Sequence, residues 1–398
     1  MRGGNEVQYD FDKIIDRRGS NCLKWDFAST FFGTNDLLPM WVADMDFESP
    51  PSVLNAIRRR AEHGVFGYTA RPQSYYQAII NWVEKRHNWQ IKREWLSYAP
   101  GVVPAIHLCI MAFSHPGDKV IVQTPAYYPF FSAVRNTGRQ LETNPLKNVE
   151  GHYEMDFDDL EKKIDSRTKI LILCNPHNPV GRVWTRDELA RIGEICLKHD
   201  IKIISDEIHS DLVFKEYEHT PMASLSEDLA LQTITCISPS KTFNLAGLST
   251  AVVIAPNKRM LQEYNNALSS VGLGLGNVFG IVALEAAYSH GEEWLEQLLT
   301  YIKGNYEYMK EFLKQHLPQI KITELQGTYL AWLDFRDFGM TTKKLRDFLY
   351  NKAKVGFEDG SVFGKEGEGF MRVNLACPRS TIEEAMRRLI EAHRKLNI

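Results

Sequence analysis

The chain has 398 residues, 44% of them hydrophobic and 24% charged, with a formal net charge of -3. Such a composition excludes a disordered or membrane-embedded protein, and the near-neutral, slightly acidic balance argues against a nucleic-acid surface. The length points to roughly two or three lobes around a large buried interior.

Six cysteines at 22, 109, 174, 196, 236 and 377 form no C-x-x-C pair and no His/Cys spacing of a metal site. Reduced thiols and no metal are therefore expected. The start, MRGGNEVQYD, lacks the apolar core of a signal peptide, so the expected location is the cytoplasm. Residues 95–117 and 265–284 are uncharged and long enough to span a bilayer, but prolines and glycines interrupt them, and they read as buried core with loops. The basic run Arg58-Arg59-Arg60 reads as a solvated helix face.

Residues 1–50 hold few helix signals and end in the apolar-acidic segment LPMWVADMDF (38–47), an arm that has to lie on something else. Pro50-Pro51 closes it, and Ser49 or Ser52 is placed to cap the helix carrying Val53, Leu54, Ala56 and Ile57. Phe66-Gly67-Tyr68-Thr69 is a turn with an exposed aromatic, followed by an amphipathic helix over 75–87. From 96 to 255, apolar runs at 119–123, 169–174, 201–205, 233–237 and 251–255 alternate with helical patterns. Near-continuous apolar strands between helices predict a mostly parallel sheet covered on both faces, with ligands beyond the carboxyl ends of its strands.

Candidate chemistry sits at those ends. Gly101 opens a helix whose first amides, Val102 and Val103, form an anion site without any charged side chain. Tyr127 follows the second run, and Asn178 lies in the turn NPHNPVG (175–181). Asp206 ends the run 201–205, with His209 three residues on. A strand-end carboxylate there either caps a helix or holds a proton on a pyridinium nitrogen. SPSKTFNLAG (238–247) puts Lys241 beside the hydroxyls of Ser238 and Ser240, with Gly247 permitting close backbone approach. Lys241 is either a solvated rim charge or the Schiff-base amine of a pyridoxal phosphate site. GLGLGNVFG (272–280) has Phe279 where a dinucleotide fingerprint needs its third glycine, so that reading is rejected.

The remaining third predicts a helix over 292–317, a half-buried strand over 328–335, a helix over 342–352, a strand over 370–377, and a last helix over 382–396 capped by Ser380 or Thr381. Arg372, inside an apolar strand, needs a carboxylate partner: a substrate α-carboxylate or a structural Asp or Glu. The expected division is an N-terminal arm (1–48) joining the small domain, a large cofactor-binding domain (49–290) and a small C-terminal α+β domain (291–398).

With these residues in order, the chain resembles the fold type I, aspartate-aminotransferase-like pyridoxal phosphate enzymes over essentially its whole length. Within them it is most similar to the bacterial cystathionine β-lyase, or carbon-sulfur lyase, group. The marks are KWD (24–26), LPMWVADMDF, FGYT (66–69), SDEIHSDLV, SKTFNLAGL and FMRVNLACPR. The resemblance implies an α/β fold with a mostly parallel seven-stranded sheet in the large domain and pyridoxal 5'-phosphate as cofactor. It implies that Lys241 carries the cofactor and acts in catalysis with Tyr127, which stacks on the ring. Asp206 pairs the ring nitrogen, Asn178 and His209 flank the phenolic oxygen, and Val102, Val103, Ser238 and Ser240 hold the phosphate. Arg372, with Asn178, grips the carboxylate of a small amino acid substrate. Tyr68 is expected to reach the phosphate of a neighbouring subunit, making each site the product of a homodimer. Many relatives have an arginine where this chain has Ser249, a departure that favours the lyase group over aminotransferases. The implied activity is β-elimination of a thiol from L-cysteine conjugates. The alternatives are transamination of amino acids and a non-catalytic regulatory or binding protein that keeps the fold.

Overall fold

A computed structural model of the protein describes residues 8–396; the first seven residues of the expected arm and the last two of the chain lie outside the described residues. The elements that position the site begin with α1 (Pro51–Glu62), α2 (Gln73–His87), β1 (Leu96–Ala99), α3 (Val102–Phe113), β2 (Lys119–Thr124), β3 (Gln140–Pro145) and β4 (Thr168–Cys174). β5 (Lys202–Asp206), β6 (Thr233–Ile237), β7 (Ala251–Ile254), α4 (Val278–His290), α5 (Glu292–His316) and β8 (Lys321–Ile322) follow. β9 (Leu330–Asp334), β10 (Glu358–Asp359), β11 (Phe370–Asn374) and α6 (Arg379–Leu396) complete the set.

The apolar runs pair in the order β1-β7-β6-β5-β4-β2-β3, a seven-stranded sheet as expected. All neighbours are parallel except at β7, which runs antiparallel to both β1 and β6. The cause is local: the connection from β6 to β7 carries Lys241 in one short helical turn and a 3₁₀ turn. It has no helix to cross the sheet, so the chain returns antiparallel. β3 escaped the sequence reading because QLETNP is polar; it is the sheet edge, where apolar burial is not required. A second, antiparallel sheet runs β8-β9-β11-β10, with Trp332 of β9 stacked on Phe370 of β11 at 5.2 Å between ring centroids.

Two capping expectations fail. Pro50, not a serine, precedes α1, and Pro51 needs no amide partner there; the Ser49 hydroxyl donates to the Asn244 carbonyl (3.3 Å). α6 begins at Arg379, so Ser380 and Thr381 lie within its first turn. Among the described residues no helix is long and apolar enough to cross a membrane.

The arm reaches the second sheet region through Leu38–Pro39, paired in parallel with Val355–Gly356. Residues 41–47 then cross the mouth of the large sheet, and six of their backbone carbonyls are held by side chains. Trp41 accepts from Arg372, and Ala43 from Lys241 and Tyr329. Asn374 donates to the carbonyls of Val42 and Asp44, and Asn244 to those of Met45 and Phe47.

Two acids on this strap are neutralised from within the arm. The ammonium of Lys24, 1% exposed, lies 2.6 Å from Asp46, and Arg17 bridges Asp44 (2.6 Å) and Asp46 (2.7 Å). Burial alone would lower the Lys24 pKa, but Asp46 and Asp44 outweigh it and hold it above its ordinary value. Burial would raise Asp46, yet Lys24 and Arg17 hold it below the usual carboxylate range. Stability from Asp46 is lost as pH falls through its depressed value, and that from Lys24 as pH rises through its elevated one. The pair therefore contributes from roughly pH 4 to pH 10. Lys24→Met leaves the acid buried with one cation fewer and is expected to cost about 3–5 kcal/mol, read as a lowered denaturation midpoint at pH 7.

Candidate active site

The parallel strands β2, β4, β5 and β6 end side by side, which brings together residues far apart in sequence. In register, Cys174 of β4, Asp206 of β5 and Cys236 of β6 are level with one another. The loops beyond enclose a cavity of about 180 Å³ lined by Val102, Val103, Tyr127, Asn178, Asp206, His209, Ser240 and Lys241, together with Ala43, Ser249 and Thr250. Eight of the residues singled out from the sequence thus share one space.

Lys241 sits on the helical turn Pro239–Thr242, started by Ser238, whose hydroxyl accepts from the Ser240 amide (3.1 Å) and donates to the Thr250 carbonyl (2.7 Å). Ser238 is therefore engaged in building the turn and is not among the cavity-lining residues, unlike Ser240. The Lys241 amine donates to the Ala43 carbonyl at 2.5 Å, and Tyr329 donates to the same oxygen at 3.0 Å. Desolvation lowers the Lys241 pKa to about 8, with Arg372 adding to the fall while Asp44, Asp206 and Glu358 oppose it. This is a solvent-deprived amine and not a rim charge.

Asp206 is buried and accepts from the Ile208 amide at 3.1 Å. That local bond resembles a cap, but the carboxylate forms no ion pair among the described residues, and burial raises its pKa to about 7. His209 is buried too; loss of solvent, with Lys241 and Arg372 nearby, lowers it to about 3, so its ring is neutral. Its Nδ1 atom is buried without a hydrogen-bond partner. The Tyr127 phenol is pushed up to about 12, chiefly by burial.

One end of the cavity is the start of α3, where the first amides of a helix lack intrahelical acceptors and Gly101 offers no side-chain cap. Ser249 follows at φ 47° and also lines this space. A Cβ on Gly247 would meet no protein atom within 4 Å among the described residues. Tyr68 is 98% exposed, away from the cavity lining, with Val65 and Phe66 also exposed beside it.

Arg372 borders the site through Asn178, to whose Oδ1 it donates at 2.9 Å. It also donates to the Trp41 carbonyl (3.1 Å) and to Glu358. The structural carboxylate left open by the sequence thus exists. Glu358, Ala43 and Tyr329 were missed: Glu358 lies in a two-residue strand, Ala43 acts through its backbone, and Tyr329 is one of 16 tyrosines.

The donor set has a definite shape: an amine of lowered pKa, an unpaired buried carboxylate, a neutral imidazole with an orphaned nitrogen, and helix-start amides with a hydroxyl. These fit the aldehyde, ring nitrogen, phenolic oxygen and phosphate of pyridoxal 5'-phosphate respectively.

A family model described as aminotransferase class I and II matches residues 35–389. The chain is 44% identical to cystathionine beta-lyase PatB of Bacillus subtilis (strain 168), covering 96% of this chain and 98% of that protein. It is 36% identical to Protein MalY of Escherichia coli (strain K12), covering 97% and 99%. The crystal structure of cystalysin from Treponema denticola, which contains a pyridoxal 5'-phosphate cofactor, matches with a TM-score of 0.95 at 39% identity, covering 98% of this chain and 100% of that one.

The lowered amine has a direct check. In cofactor-free protein, labelling of Lys241 by an amine-selective reagent, followed by peptide mass spectrometry, is expected to reach half its limiting rate near pH 8. Exposed lysines should do so near their ordinary value of about 10.4.

Proposed function

Because the chain belongs to the aminotransferase class I and II family and is a pyridoxal-phosphate-dependent enzyme, we propose that it is a carbon-sulfur β-lyase that eliminates a thiol from L-cysteine conjugates such as cystathionine, yielding pyruvate and ammonia. What carries the reading is the pairing of the desolvated amine of Lys241 with the unpaired buried carboxylate of Asp206, in a chain 44% identical to a protein named cystathionine beta-lyase.

The cofactor, when bound, supplies an electron sink for the charge released as a bond at the substrate Cα breaks. Lys241 would hold it and, with its amine free, would take the Cα proton; with a pKa near 8 part of that amine is neutral at physiological pH. Asp206 keeps a proton on the ring nitrogen. A cation there restores to this carboxylate the partner that it lacks in the protein alone and so lowers its raised pKa. Val102, Val103 and Ser240 would hold the phosphate, Tyr127 the ring, and Asn178 and His209 the phenolic oxygen. Arg372, steadied by Asn178, receives the α-carboxylate.

The active form in this reading is a cytoplasmic homodimer in which Tyr68 completes the neighbour's phosphate site. The exposure of Tyr68, Phe66 and Val65 supports this. The division into arm, large domain and small domain at 48 and 290 is part of the same proposal, supported by the two separate sheets.

Transamination would use the same amine and the same arginine, so the assay must separate them. Purified protein is expected to form pyruvate from L-cystathionine equally with and without 2-oxoglutarate. A strict requirement for the keto acid would replace the lyase by an aminotransferase, and absence of both activities would leave a binding protein. Lys241→Ala is expected to lose the cofactor's visible absorption band seen in the wild type and to reduce pyruvate formation by a factor of at least 10³. Asp206→Asn should keep bound cofactor but lower kcat by about 10²-fold or more, measured in the same assay.

A further inference from the structure

Arg372 carries five N–H donors in a planar fork. A carboxylate can take two parallel hydrogen bonds from that fork at two edges only, Nη1 with Nη2 or Nε with Nη2, and each edge needs a proton of Nη2. Both Nη2 protons are already used, one by the Trp41 carbonyl and one by Glu358. Nη1 donates to Asn178, while Nε is buried with no partner. Arg372 thus has an unfilled donor and no free edge.

One of the two occupants has to give way before a substrate carboxylate is gripped by both oxygens. The Trp41 carbonyl belongs to the strap, whose next carbonyls are pinned by Asn374 and by Lys241 with Tyr329. Glu358 is a side chain with rotatable bonds. It stands directly opposite Arg372 in the β10–β11 pair, so its contact is built into the sheet register.

Charge decides the form in which it leaves. Arg372 and Glu358 are 2% and 9% exposed and together neutral. An arriving carboxylate would leave one uncompensated negative charge in a buried place, which is costly. The other titratable groups that act on Glu358 are Lys241, Asp359 on its own strand, and the phenols of Tyr127, Tyr128 and Tyr350. Asp359 is tied to Arg346, and the three phenols are all pushed above their ordinary range, chiefly by burial, so neither Asp359 nor the phenols supply or absorb the charge near neutral pH; Lys241 titrates near there, and the proton count of Glu358→Gln separates its share. Burial likewise pushes the Glu358 carboxyl above its ordinary value, against the pull of Arg372.

We propose that Glu358 is a gate on the carboxylate site: it occupies Arg372 in the free enzyme and, when the substrate's α-carboxylate binds, takes up one proton from solvent and withdraws as a neutral acid. The inference rests on the reading of Arg372 as the α-carboxylate grip and adds what controls access to it. Binding then consumes a proton, so affinity falls as pH rises.

The probe is butanoate, a carboxylate with no amino group to titrate, bound to the cofactor-loaded full chain. Calorimetry in two buffers of different ionisation enthalpy counts the protons. The wild type is expected to take up about one proton per butanoate and to lose affinity about tenfold from pH 7 to pH 8. Glu358→Gln, of the same shape, should take up close to none and bind about tenfold more tightly than the wild type at pH 8. An unchanged proton count in Glu358→Gln, no uptake in the wild type, or weaker binding by Glu358→Gln would each overturn the gate. Arg372→Met separates the premise: if it binds butanoate as well as the wild type, Arg372 is not the grip and the gate falls with it. If it loses butanoate while Glu358→Gln keeps the full proton count, the gate alone fails.

Discussion

The site depends on holding charged groups out of water at the carboxyl ends of the large sheet. Lys241 and Asp206 line one small space, Arg372 adjoins it through Asn178 and Glu358 pairs with Arg372, and isolated burial of any of them would be expensive. The protein relieves only part of that cost. Arg372 has Glu358, Asn178 and a backbone carbonyl, whereas Asp206 keeps a single amide and rises to about 7. What is left unpaired is complementary to a cation, an anion and a carbonyl, which is how a protein can be shaped electrostatically for one cofactor.

The strap over residues 41–47 shows how a segment without regular structure is made rigid enough for this task. Its odd-numbered carbonyls, Trp41 and Ala43, face the chemistry and accept from Arg372 and Lys241, while the even ones, Val42 and Asp44, are held by Asn374. The segment is bent, with the Asp44 amide donating back to the Val42 carbonyl (2.9 Å), so its carbonyl directions are set by these individual bonds. For Lys241 the bond to Ala43 uses one N–H and fixes the direction of the nitrogen. A neutral amine oriented in that way keeps its lone pair available for the cavity. The acids on the strap, countered by Lys24 and Arg17, join the position of this carbonyl to the folding of the arm.

Strands of the large sheet were legible because fully buried parallel strands must be apolar along their length, as ILILC in β4 is. The edge strand β3 was not, since its polar residues meet solvent on one side. In the site, side chains placed at or just after strand ends were readable: Lys241, Asp206, Asn178 and Tyr127 all line the cavity. Ser238, a candidate anion ligand by residue type, caps the turn that presents Lys241, a role that the same residue type serves equally well. Backbone acceptors such as the Ala43 carbonyl leave no trace in residue identity.

Glu358 shows why pairing across a sheet is harder to read than order along a chain. Arg372 announced by its presence in FMRVNLAC that some acid had to meet it, yet the 50 acidic residues offered no way to choose. The choice is made by register: β10 lies antiparallel to β11, and that alignment sets residue 358 against residue 372. A shift of one residue would turn the Glu358 side chain to the opposite face and bring Asp359 opposite, with a shorter side chain. The charge beside Arg372 is therefore a property of strand pairing. Two residues of strand, too short to be recognised from their sequence, decide whether Arg372 stands open or closed.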